Sequence, residues 1–246
     1  MEKKRRYELL DAYRGFTILS MIGYHFSFDV FILYGCYPGW LSNPIGKIWQ
    51  QSICLSFILI CGLCASFSRD LLKRGIMLNL CGLLITAVTV IFSPSAAIFF
   101  GVLNLLGCSL LLLIPIRKMI NEKNWWIVGL CSFFCFLLFR NVTKGYLGFG
   151  SHILYAMPFA LYKSKWMVPF GFPYAGFYSS DYFPILPWFF LFLTGYCLSF
   201  YLKKAEWLQK LLEPKVPFLT WIGRHSLIIY MLHQPVLMGI CMLLFQ

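Results

Sequence analysis

The sequence predicts an all-α polytopic integral membrane protein, a single transmembrane domain over residues 1–246, and three observations carry that prediction. Of the 246 residues, 60% are apolar and 12% are charged, whereas a soluble chain keeps about a quarter of its residues charged because its surface must be wet. Apolar runs of roughly 20 residues recur along the chain, the length that crosses a bilayer core as a helix. Lysine and arginine fall in clusters between those runs, as loops at a membrane require.

Seven spans are expected, at about 15–34, 48–67, 76–92, 99–116, 125–139, 182–202 and 226–245. The start, MEKKRRYELLDAYRGF, is basic and leads into an apolar stretch, but His25 and Asp29 interrupt it and no small-residue cleavage site follows. It therefore reads as a retained first span rather than a signal peptide. Between the fifth and sixth spans lies 140–181, rich in Gly, Pro and aromatic residues; its SHILYAMPFALY stretch has the length of a re-entrant or interfacial helix and is short for a span.

The loop charges set the expected orientation. The cluster Lys3, Lys4, Arg5 and Arg6 and the clusters around Arg69, Arg117 and Lys203, with Arg14 and Arg224, put sixteen basic residues on one side against five on the other. The positive-inside rule then makes the N-terminus cytoplasmic and the C-terminus extracytoplasmic in a cell-membrane protein. No internal repeat supports an inverted-repeat transporter. Asn141-Val142-Thr143 forms a glycosylation sequon on the outer side, a triplet that also arises by chance.

The net charge of +12 invites a nucleic-acid reading, but the basic residues form no aromatic-and-basic stripe, and nucleic acid is not expected as a partner. Ten cysteines sit mostly inside apolar runs; the Cys61/Cys64 pair in ILICGLCASF has no second pair or histidine nearby, so small apolar filler is the expected role and no metal site is assigned. There is no GxSxG, HExxH or P-loop. Among common chemistries this leaves proton transfer by histidine with positioned charges.

An ionisable group near the centre of a span costs at least ~2.5 kcal/mol, so each one is a candidate functional residue. The first span carries Asp11, Arg14, His25 and Asp29. At about 100° per residue, Arg14 and His25 lie roughly 20° apart on one helix face and about 16 Å apart along the axis, a cation at the cytoplasmic mouth and an imidazole near the midplane. Asp29 stands one turn beyond and within reach of a hydrogen bond to the His25 ring. Arg14 as an ordinary snorkelling cation and His25 as a packing residue are the plainer alternatives.

In the last span Ser226, Tyr230 and His233 share a face, followed by Gln234 and Pro235; hydrogen bonding between helices is the alternative there. Asp181 is expected either to cap the sixth span or to close an outer pocket. Asn79 and Asn104 lie inside the third and fourth spans, where their amides can line a cavity. His152 has no evident partner, and His225 reads as a boundary residue.

These residues also carry a resemblance. RYELLDAYRGFTILSMIGYHFSFDV resembles the first span of bacterial membrane proteins of the heparan-α-glucosaminide N-acetyltransferase-like family, and its Arg14 to His25 spacing is similar to the first-span motif of the wider acyltransferase-three enzymes. RGIMLNLCGLLITAVTV, FFGVLNLLGCSLLLL, FYSSDYFPILPWFFLFLTG and WIGRHSLIIYMLHQP resemble the same family in order, over nearly the whole chain. The resemblance implies a membrane acyltransferase that takes acyl-CoA, acetyl-CoA above all, as co-substrate from the cytoplasm and delivers the acyl group to an acceptor, often a sugar, on the far side. It implies donor binding or site organisation for Arg14 and a catalytic base for His25, and His233 matches a patterned position. In one place this chain departs: the lysosomal members carry a histidine in the loop after the first span, where CYPGW stands here.

The expected site thus has His25, Asp29 and His233 as catalytic residues, Arg14, Asn79 and Asn104 toward the donor, and Asp181 and Tyr230 toward the acceptor. Partners are acyl-CoA, a sugar or other small acceptor and membrane lipid, and a homodimer is compatible with the sequence. Direct transfer and transfer through an acylated histidine both remain open. The rival reading is a small transporter or proton-coupled channel in which His25, Asp29 and His233 relay protons; a non-catalytic scaffold is the third.

Overall fold

The computed structural model describes residues 7–245. The basic cluster Lys3, Lys4, Arg5 and Arg6 lies outside the described residues. In chain order the helices are α1 (Glu8–Phe28), which runs on into a π-helical turn (Asp29–Leu33), α2 (Pro44–Ala65), α3 (Leu71–Phe92), α4 (Val102–Ile116) and α5 (Trp125–Leu138). A two-stranded hairpin follows, β1 (Tyr146–Phe149) with β2 (His152–Ala156), then α6 (Ile185–Lys204), α7 (Glu206–Leu211), α8 (Pro217–Arg224) and α9 (Ser226–Leu244).

Six helical stretches are long and apolar enough to cross a membrane: Glu8–Leu33, Pro44–Ala65, Leu71–Phe92, Trp125–Lys144, Ile185–Lys204 and Ser226–Leu244. They coincide with six of the seven expected spans. The expected fourth is the 15-residue α4, which at 1.5 Å per residue reaches about 22 Å, short of the ~30 Å hydrocarbon core. Leu80, Leu83, Leu84, Ile91 and Phe92 on α3 and Leu232, Val236, Leu243 and Leu244 on α9 are exposed, a distribution that suits lipid and not water as the surrounding solvent.

The described residues fall into two compact units, Met1–Ile60 with Leu202–Gln246 and Cys61–Tyr201. In the first, α8 packs on α1 at backbone distance. A Cβ on Gly15 would run into the Leu219 carbonyl, and one on Gly223 into the Asp11 carbonyl. Only glycine allows that approach, which lets short polar groups bridge the two helices. Ile18 and Met21 of α1 and Ile222 of α8 form a buried cluster, with Ile53, Phe57, Ile229 and Tyr230 against it.

In the second unit, α3 is capped at its start by Asp70, whose carboxylate accepts from the Lys73 amide at 2.9 Å. α3 and α4 then pack through glycine and asparagine: Asn104 fills the space beside Gly82, and Asn79 that beside Gly107. The expected helix at SHILYAMPFALY is instead strand β2 followed by a 3-10 turn, Phe159–Lys163. Glycine decides this locally: Gly150 takes φ 58° at the hairpin turn, a conformation that side chains other than glycine disfavour. Asn141 of the sequon is buried and donates to the carbonyls of Gly148 and Gly150, both at 3.3 Å, so it ties down the hairpin.

Candidate functional site

α1 carries polar side chains at two levels, and the helices packed against it complete two separate constellations. Toward the C-terminal end of α1, the outer level (the N-terminal end being the inner), His25 faces His233 of α9, with ring centroids 5.0 Å apart and the planes tilted by 59°. The Nδ1 atom of His233 lies 2.6 Å from the Tyr230 carbonyl oxygen. A carbonyl only accepts, so this nitrogen carries the hydrogen and Nε2 holds the basic lone pair. Nε2 is buried and has no hydrogen-bond partner among the described residues.

Asp29 stands next to this pair and is 1% exposed. A carboxylate so enclosed needs donors, and it takes both from Gln234, whose Nε2 donates to its two oxygens at 3.1 and 3.0 Å. The sequence expectation joined Asp29 to the His25 ring. The described hydrogen bonds run to Gln234 instead; the helix stays regular up to Asp29, whose amide donates to the His25 carbonyl, and widens into a π turn only beyond it, where the Tyr34 amide reaches back to the Asp29 carbonyl at 3.1 Å. Such turns break the i, i+4 register of an α-helix and are frequent at functional sites. Since the amide nitrogen of Gln234 is engaged by Asp29, its Oε1 points elsewhere, and this atom too is buried without a partner among the described residues.

Aromatic side chains flank the level. Tyr24 is 6.1 Å from His25, 5.5 Å from Trp49 and 6.5 Å from Trp40, ring centre to ring centre. Trp49 donates from Nε1 to Ser20 Oγ at 2.8 Å, which fixes its ring. Tyr230 packs against His233 at 5.4 Å.

The inner level is different in kind. Arg224 of α8 grips Glu8 with Nη2 at 2.7 and 2.6 Å from its two oxygens, and its Nε lies 3.7 Å from Asp11. Arg14 donates to Asp11 at 3.3 Å and to the Gly223 carbonyl at 3.3 Å. Among the described residues, two carboxylates thus answer two guanidiniums. Arg14 belongs to the fastening of α1 to α8 and is not the isolated cation that its position in the sequence suggests.

The remaining expected residues lie in the other unit. Asn79 donates to the Gly75 carbonyl at 2.9 Å and accepts from Cys108 Sγ at 3.5 Å, while Asn104 donates to the Asn79 carbonyl at 3.5 Å. Their amides are engaged within the α3–α4 contact, where the small glycines bring them together. Asp181 accepts from the Val102 amide at 3.5 Å, at the N-terminus of α4 and not of α6. Chain pairing brings it there: the Ser180 amide donates to the Ala97 carbonyl and the Phe183 amide to the Phe100 carbonyl. The carboxylate suits that position because helix N-termini present free N–H groups and positive potential. His225 bonds its own turn through the Trp221 carbonyl, and His152 lies exposed on β2.

Sequence reasoning assigned no role to Gln234. Its signal was a second hydrogen-bonding side chain next to a histidine in an apolar helix.

A chain of apolar helices long enough to cross a membrane, with two facing imidazoles and two buried polar atoms beside them unanswered among the described residues, is a multi-pass membrane protein. The family model described as heparan-alpha-glucosaminide N-acetyltransferase, catalytic, matches residues 6–235, and the chain belongs to that family. No curated protein and no solved structure matches it. The family is one of membrane acetyltransferases, and the chain is an enzyme of that general class.

Proposed function

We propose that this protein moves an acetyl group from cytoplasmic acetyl-CoA to an amine or hydroxyl of a sugar-like acceptor on the extracytoplasmic side, with the His25–His233 pair as the base. The observation that carries the reading is the 5.0 Å approach of the two rings, with an unpartnered Nε2 on one of them. A neutral imidazole lone pair held in a dry site is what a general base for acyl transfer requires.

The chemistry balances with these groups. The acceptor nitrogen or oxygen attacks the thioester carbonyl while the histidine pair takes its proton. The carbon–sulfur bond then breaks, and the thiolate leaves as CoA thiol with that same proton. His233, whose Nδ1 is fixed by the Tyr230 carbonyl, meets the nucleophile's hydrogen with Nε2, and His25 packed against it shares the proton. Asp29 and Gln234 hold α1 and α9 at the spacing the pair needs.

Coenzyme A carries several phosphate charges that cannot enter hydrocarbon, so its head stays at the cytoplasmic surface and only the thin pantetheine arm reaches inward. Arg14 and Arg224 are engaged by Asp11 and Glu8, so the phosphates fall to the basic loops as a set and Arg14 has an organising role. The sixteen-to-five asymmetry of basic residues supports the orientation with the N-terminus in the cytoplasm.

The test is purified protein in detergent with acetyl-CoA and a panel of hexosamines and hexoses, reading thiol release and acetylated product together. Acetylated sugar formed in step with thiol supports the reading. Silence across the panel, with proton or solute flux in reconstituted vesicles, moves the protein to the transporter class.

A further inference from the structure

The two unanswered atoms of the outer site are both hydrogen-bond acceptors. His233 Nε2 has a lone pair because Nδ1 holds the hydrogen against the Tyr230 carbonyl. Gln234 Oε1 is left over because the amide nitrogen of Gln234 donates to both oxygens of Asp29. Buried acceptors without donors are costly, and native structures rarely keep them unless something else supplies the hydrogen. Both acceptors lie where α9 meets the end of α1, since the His233 ring packs against His25 and the Gln234 amide bonds Asp29 one turn beyond.

We propose that Gln234 is the acceptor-selecting residue of this site: its Oε1 receives a hydrogen from the nucleophile, and Asp29 is the positioning residue that keeps the amide turned that way. A primary amine suits the arrangement better than a hydroxyl. It offers two N–H groups, one for the histidine lone pair and one for Gln234, and still has the electron pair that attacks the thioester. A hydroxyl has a single hydrogen and leaves one of the two acceptors bare. Discrimination of this type is strong because the penalty falls on the buried group left unpaired.

The inference rests on the acetyl-transfer reading above, and the experiment separates the two. Wild type, Gln234→Lys, Gln234→Met and Asp29→Asn are assayed with acetyl-CoA against glucosamine and glucose, with thermal melts in detergent alongside. Lysine at 234 still donates to Asp29 but presents no acceptor. Asparagine at 29 can donate to Oε1, so the Gln234 amide turns over and shows its N–H₂ to the nucleophile. Both variants should melt close to wild type, keep the KM for acetyl-CoA, raise the KM for glucosamine about tenfold, the worth of one hydrogen bond, and narrow the preference for glucosamine over glucose. Gln234→Met should melt lower as well, since it strands Asp29. If Gln234→Lys and Asp29→Asn both keep the wild-type KM for glucosamine, Oε1 does not meet the nucleophile and the inference is overturned. Wild-type inactivity with both sugars overturns the acetyl-transfer reading and this inference with it.

Discussion

The two polar levels of α1 differ in what they leave undone. At the inner level each carboxylate meets a guanidinium, and α8 supplies the partner for Glu8 at 2.6 Å. At the outer level the groups are similarly enclosed, yet His233 Nε2 and Gln234 Oε1 have no partner among the described residues. Both levels are expensive to place in a membrane protein. A satisfied cluster returns that cost as fixed geometry, whereas an unsatisfied one returns it only when a ligand arrives. The Asn79–Asn104 contact between α3 and α4 belongs with the first kind: amides and small residues that hold helices together.

If this division is right, damage at the inner level should reduce the amount of folded protein and leave each folded molecule competent. The largest effect is expected from Gly15→Val, because its side chain has only backbone to displace at Leu219. Folded yield after detergent extraction should collapse, and Gly223→Val should do the same from the other helix. A Gly15→Val protein that extracts and melts like wild type would show that α1 and α8 are not in backbone contact.

Next in size is Arg224→Met, which strands Glu8, only 8% exposed. It should cost about 2 kcal/mol, the range for a hydrogen bond to a charged group. Adding Glu8→Gln should recover part of that loss, since an unpaired buried charge is worse than none. The melting curves of the two singles and the double measure this directly, and turnover per folded molecule should stay within about twofold, well below the loss from removing a general base. If the turnover of Arg224→Met falls with its stability intact, the inner level takes part in catalysis and the contrast drawn here fails.

Smaller still is Asn104→Ala. It removes a 3.5 Å hydrogen bond to the Asn79 carbonyl and leaves a gap beside Gly82, so about 1 kcal/mol of stability should go. The KM for acetyl-CoA should not move. A rise in that constant would return Asn104 to the donor site.

How far the chain could be read in advance follows the same line. Six of the long helices and the common face of Arg14 and His25 depend on local periodicity, and periodicity is written in consecutive residues. The partners are not. Asp29 meets Gln234 across 205 positions, and the π turn that follows Asp29 has no composition of its own. Glu8 and Arg224 are 216 positions apart, so the ion-pair group to which Arg14 belongs cannot be read from its own stretch of sequence. Reading 151–162 as a re-entrant or interfacial helix weighs apolar length above the glycines that turn the chain into a hairpin at 146–156. Asp181 reads in sequence either as a cap of the sixth span or as the closure of an outer pocket, and chain pairing brings it to the start of α4.

The outer level is the centre of the account, and its claim is that His25 and His233 act as one base. The direct measurement is a double-mutant cycle of acetyl transfer with His25→Ala, His233→Ala and both together, at fixed folded concentration and saturating acetyl-CoA. Each single change should reduce turnover by about 10²–10⁴-fold, and the double should fall little further, because groups that work as a unit are lost as a unit. Wild-type transfer should also decline on acidification, since an imidazole that already holds a proton cannot take the nucleophile's, and the double variant should lose that dependence. Losses that simply multiply in the double, or singles that turn over at the wild-type rate, would contradict it.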